Sequence, residues 1–137
     1  MFTKGAAQAG AVILAAIVAA AAAAQASATQ AELPLLGRLE SGLWQLRSLG
    51  AGGEIGAICL GDRAQLAQLR HRNQACRRSL VGQSRDSIEI HYNCPAAFGQ
   101  TEIRVETSRL ARVETQGVDN GVPFAFRAEA RRIGPCR

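Results

Sequence analysis

The sequence predicts a mainly β (α+β) domain: a curved antiparallel sheet or partly open barrel, meander-like, with one short helix and disulfide staples. Three observations predict it. Apolar and polar residues alternate through 87–94 and again through 122–132, the period of strands with one packed and one wet face. A single stretch, residues 61–73, carries helix signals. All four cysteines lie beyond a leader-like N-terminal segment, as in small exported domains held by disulfides.

The leader is read from residues 1–28. Met1-Phe2-Thr3-Lys4 is a short basic start, and Ala11 to Ala24 is an unbroken apolar run. Gln25-Ala26-Ser27-Ala28 then offers small residues for cleavage after Ala26 or Ala28. This is the tripartite layout of a secretory signal peptide. The run is shorter than the ~20 apolar residues a spanning helix needs. The expected location is periplasmic or secreted, with peripheral membrane contact at most. Residues 29–41 read as a connector containing Pro34 and Gly37, and 42–137 as a single domain. A core of that size is marginal without added restraint.

The elements follow in order. Leu43 to Leu49 reads as a strand around Trp44, the only tryptophan and a natural core anchor. Gly50-Ala51-Gly52-Gly53 should turn the chain, so that Glu54 to Cys59 pairs back as a hairpin. Asp62 can cap a helix, with Gln65 completing a capping-box-like pair. Ala64, Leu66, Ala67 and Leu69 give that helix an apolar side, and Arg70, His71 and Arg72 suit its C-terminal end. His71 is expected on the surface there. Arg77 to Gly82 is a short strand. In Ser87 to Cys94, Ile88, Ile90, Tyr92 and Cys94 face one way, while Glu89, His91 and Asn93 face the other. Pro95 to Gly99 reads as a break, and Thr101 to Thr115 as one bent strand or two short ones. Asp119-Asn120-Gly121 is a strong turn. In the last strand, Val122 to Arg132, the residues Val122, Phe124, Phe126, Ala128 and Ala130 share a face.

Cys59, Cys76, Cys94 and Cys136 are spaced too widely for the close ligand pairs of a metal site. They allow three disulfide pairings. The expected one is Cys59–Cys76, around the helix, with Cys94–Cys136. Lys4 is the only lysine, so the 16 basic residues leave 15 arginines against 11 Asp and Glu beyond the leader, a net of +4.

Gly42-Leu43-Trp44, Cys59-Leu60, Cys76, Tyr92-Asn93-Cys94 and Gly134-Pro135-Cys136 together resemble the exported proteobacterial family catalogued as domain of unknown function thirty-six seventeen. The resemblance spans roughly Leu33 to Cys136. Thr115-Gln116-Gly117, Pro123-Phe124 and Glu129-Ala130-Arg131-Arg132 are similar to its alphaproteobacterial branch. The resemblance implies export and paired cysteines. It carries over no activity, substrate or catalytic residue.

Catalytic chemistry has little support. No G-x-S-x-G elbow is present, and paired cysteines leave no free thiol for Cys–His catalysis. Glu89, Glu102, Glu106 and His91 sit on strand faces that read as wet. The expectation is a non-enzymatic binding or accessory protein of the envelope, with no cofactor, no metal and, because it is exported, no nucleic-acid partner. Two sites are candidates. Arg70, Arg72, Arg77 and Arg78 around the helix end form a possible anion patch for phosphate-bearing envelope components or lipid headgroups. Trp44, Tyr92, Phe98, Phe124 and Phe126 are possible lining of an apolar-ligand or lipid cavity. The same arginines also read as solvated surface charge, and the same aromatics as a small core.

Overall fold

The computed structural model describes residues 33–50 and 54–137. The leader, the start of the connector and residues 51–53 of the glycine-rich turn lie outside them. Seven strands form one open antiparallel sheet: β1 (Gly42–Ser48), β2 (Glu54–Leu60), β3 (Arg77–Gln83), β4 (Ser87–Cys94), β5 (Ala97–Thr107), β6 (Leu110–Asp119) and β7 (Val122–Gly134). Their spatial order is β2-β1-β7-β6-β5-β4-β3. Strands β3 to β7 are a meander. The β1–β2 hairpin is added beyond it, with β1 antiparallel to β7.

The predicted helix is present but wound more tightly. Arg63–His71 is 3-10 helical and breaks at Gln68 (φ −131°, ψ 46°). The Asp62 side chain caps it by accepting from the Ala64 N–H at 2.9 Å. The reciprocal Gln65 side-chain bond of a capping box is not formed; the Gln65 backbone N–H donates to the Asp62 carbonyl at 3.1 Å, the first bond of the 3-10 segment. A shorter 3-10 turn, Leu36–Arg38, precedes β1. Residues 33–41, read as connector, are thus partly core: Leu35, Leu36 and Leu39 are buried.

Both 3-10 segments cover the same face of the sheet. Trp44 and Leu46 of β1, Ile58 and Leu60 of β2, Ile88 and Ile90 of β4, Ile103 and Val105 of β5, and Val113 of β6 meet Leu36, Leu39, Leu66 and Ala67 there. Each fully buried aliphatic or aromatic side chain contributes on the order of 2 kcal/mol by leaving water. The Trp44 indole N–H is satisfied by the Glu40 carbonyl at 3.0 Å. Thr101, the buried polar side chain at the sheet centre, donates to the Ala67 carbonyl at 2.6 Å and bonds the Thr115 hydroxyl at 2.8 Å. These bonds tie the helical segment to β5 and β6.

The first three strands differ from the sequence reading by one residue at one or both ends, and larger differences fall in three places. The break after Cys94 is only Pro95-Ala96, because β5 starts at Ala97. The bent stretch is two strands, turning at Ser108-Arg109. The final strand continues to Gly134, where it lies beside Leu43 of β1. The Asp119-Asn120-Gly121 turn is as expected: Asn120 (φ 49°) and Gly121 (φ 81°) both take the left-handed backbone that such a tight hairpin demands.

The disulfide pairing is corrected. Cys59 bonds Cys136, and Cys76 bonds Cys94. The reason is topological. The helical segment does not fold back on β2; it crosses the sheet from one edge strand to the other and delivers Cys76 to β3. Cys76 then stands beside Cys94, one position outside the Arg77–Asn93 pair. Cys59 stays on the opposite edge, level with Leu43, whose other neighbour is Gly134 at the end of β7. Among the described residues no helix is long and apolar enough to cross a membrane.

Candidate functional site

Members of both candidate sets stand on each face of the sheet where β3, β4 and β5 meet, near the Cys76–Cys94 bridge.

On the covered face, one row of paired residues runs Arg78, Tyr92, Gly99, Gly117, Phe124 across five strands. Gly99 leaves a slot for the Tyr92 ring, and Gly117 admits the β5 backbone, since a Cβ there would fall on the Phe98 carbonyl. A Cβ on Gly99 would fall 2.5 Å from the Tyr92 Cζ. The Tyr92 hydroxyl reaches His71 Nδ1 at 3.2 Å. His71 Nε2 lies 3.5 Å from Asp119 Oδ1 but makes no hydrogen bond. The imidazole sits between the Tyr92 and Phe124 rings, each 5.6 Å away. Arg70 stacks over Phe124 at 5.1 Å and approaches Asp119 Oδ2 at 3.4 Å. His71 is therefore a core residue, only 3% exposed. The expectation of a surface group at the helix end, cationic or neutral, fails because the break at Gln68 redirects the last turn into the sheet. Nothing in the local sequence distinguishes His71 from its neighbours Arg70 and Arg72; its partners come from β4 and β6.

Burial pushes the Tyr92 phenol above its ordinary value of 10.0. The Thr115 hydroxyl and the Arg70 charge pull it the other way, and Asp119 adds to the rise. The neutral phenol is thus the form the fold favours. Its contribution is whole below the unfolded value and is lost as pH climbs through the folded one. Urea unfolding between pH 9 and 11.5 should show stability falling above pH 10, with a shallower fall in Tyr92→Phe. Superimposable profiles would assign the alkaline loss to other groups.

On the open face, Arg77, Asn93 and Phe98 form one row, and Ser79, His91 and Gln100 the next. All of them but Gln100 border an open depression of about 580 Å³. Phe98 is 56% exposed within it. Arg77 has no carboxylate within ion-pair distance among the described residues, whereas Arg78 lies 3.8 Å from Asp62. Glu89 flanks the depression: it accepts from Gln100 Nε2 at 2.5 Å and lies 3.8 Å from His91 Nε2. Further along this face, Glu106 is shared by Arg104 at 3.6 Å and Arg112 at 3.5 Å. The strand carboxylates are solvated, as their alternation implied.

The five aromatics do not line one cavity. Trp44 is sealed in the core, Tyr92 lies under the helical segment, and Phe124 and Phe126 are half-buried beside it. Phe98 points to the opposite face. The arginines also separate. Arg70 belongs to the buried cluster and Arg78 to Asp62, while Arg77 joins Phe98 on the open face; Arg72 is exposed. Among the described residues no group of His, Cys, Asp and Glu is placed to hold a metal ion. No protein family, curated protein or solved structure matches the chain.

Proposed function

We propose that the chain is exported to the periplasm or beyond as a non-catalytic binding or accessory protein, and that it engages an envelope component through the open face at the β3–β4–β5 end. One observation carries this reading: Arg77, free of any carboxylate partner among the described residues, stands in the same depression as an exposed Phe98 and the polar side chains of Ser79, His91 and Asn93. A solvated aromatic beside an unpaired cation is a surface built for contact rather than for packing. The leader-like residues 1–28, the two disulfides and the resemblance to an exported family support the compartment. An enclosed lipid finds less support, because the covered face is filled by Trp44, Leu60, Leu66, Ile88 and Ile103, each without measurable exposure.

The oxidised mature protein is expected to sediment with envelope fragments of its own host at low ionic strength. Arg77→Gln should weaken that retention by roughly tenfold, a difference of about 1.4 kcal/mol. Retention that ignores the substitution, or no retention at all, overturns the reading.

A further inference from the structure

Resting on that reading, we propose that the open-face depression accepts a single pyranose ring bearing an oxyanion, a uronate or a sugar phosphate. The spacing suits one ring. Successive same-face rows of an antiparallel sheet stand about 6.8 Å apart along the strands, and neighbouring strands about 4.8 Å apart. The frame between the Arg77–Asn93–Phe98 row and Ser79 and His91 of the next row is therefore the size of one six-membered sugar.

The chemistry is graded across that frame. At one end Arg77 offers a planar fork of donors that grips carboxylate or phosphate oxygens two at a time. At the other end, on β5, Phe98 presents a ring on which the C–H face of a sugar can lie. Asn93, Ser79 and His91 supply side chains that donate to or accept from hydroxyls. Glu89 sits against His91 Nε2, which leaves Nδ1 as the ring atom for a ligand. A neutral sugar would leave Arg77 unused. A bare oxyanion would leave Phe98 and the Asn93 amide unused. A lipid tail would desolvate the polar walls without replacing their hydrogen bonds.

The test is an amide-shift titration of the oxidised mature protein with trigalacturonate, glucose 6-phosphate, maltotriose and inorganic phosphate. Shifts confined to 77–79, 91–93 and 98–100 are expected with either or both of the first two probes, and the one that binds identifies the oxyanion's source. Phe98→Ala should weaken sugar binding at least tenfold and leave phosphate binding unchanged. Arg77→Gln should bring the charged sugars to the level of maltotriose. Phe98 is exposed, so its replacement leaves the fold intact, checked by unchanged shifts elsewhere. Absence of sugar-induced shifts, phosphate binding as tight as glucose 6-phosphate, or indifference to Phe98→Ala overturns the inference. Failure of the sugar probes together with Arg77-dependent envelope retention would discard the sugar and keep the binding module. Loss of that retention as well would discard both.

Discussion

Replacing Trp44 by Ala is expected to cost about 3–5 kcal/mol of folding stability, the range for removing a large aromatic from a packed core. The side chain has no measurable exposure and lies among Leu36, Leu39, Leu46, Ile58 and Leu60. Those neighbours come from the 3-10 turn and two strands, so collapse around the void is opposed from several directions. The Glu40 carbonyl would lose its indole donor as well. Small domains have only about 5–15 kcal/mol in total, so the variant should be at the margin of folding. Trp44→Phe separates the two effects: it keeps most of the volume and removes the hydrogen bond, which is worth about 1 kcal/mol. Urea titration of oxidised protein measures both. A Trp44→Ala loss below about 1 kcal/mol would mean that this site repacks freely.

The second large effect is that of the bridges, and they should be unequal. Cys59–Cys136 spans 77 positions and Cys76–Cys94 spans 18. Loop-closure entropy then assigns about 4.5 kcal/mol to the first and about 3 kcal/mol to the second. Paired serine substitutions, Cys59→Ser with Cys136→Ser and Cys76→Ser with Cys94→Ser, should lower the unfolding free energy in that order. The order would reverse if native packing dominated, because Cys94 is buried among Tyr92 and Ala97 while Cys59 and Cys136 are exposed. The comparison thus separates restraint of the unfolded chain from loss of core.

Much of the fold was legible because its signals are local. Ile88-Glu89-Ile90-His91-Tyr92 declares a half-buried strand through its own alternation, and Asp119-Asn120-Gly121 declares its turn. Asp62 announced a cap that is present. What was hidden depends on distant partners. The disulfide pairing follows from β1 choosing β7 as its neighbour, and no local pattern encodes that choice. The burial of His71 follows from the break at Gln68 and from Tyr92 and Asp119, which are 21 and 48 positions further along. Of the site, Arg77 and Phe98 were each visible, but as members of different sets. The two-residue strand period, which places Arg77, Asn93 and Phe98 on one side of the sheet, unites them only once the pairing register is known.

The position of β7 between β6 and β1 also has a temporal meaning. Ribosomes deliver the first hairpin long before the strand that will flank it. Until residues 122–134 arrive, β1 has one ladder partner and an unoccupied side, and Trp44 has only part of its surroundings. Nucleation is consequently favoured in the consecutive hairpins of β3 to β6, whose loops are short and cheap to close. The amino-terminal portion then waits in a sticky, half-made condition. The slowest folding step is expected to be the docking of the earliest-made pair of strands onto the latest-made one.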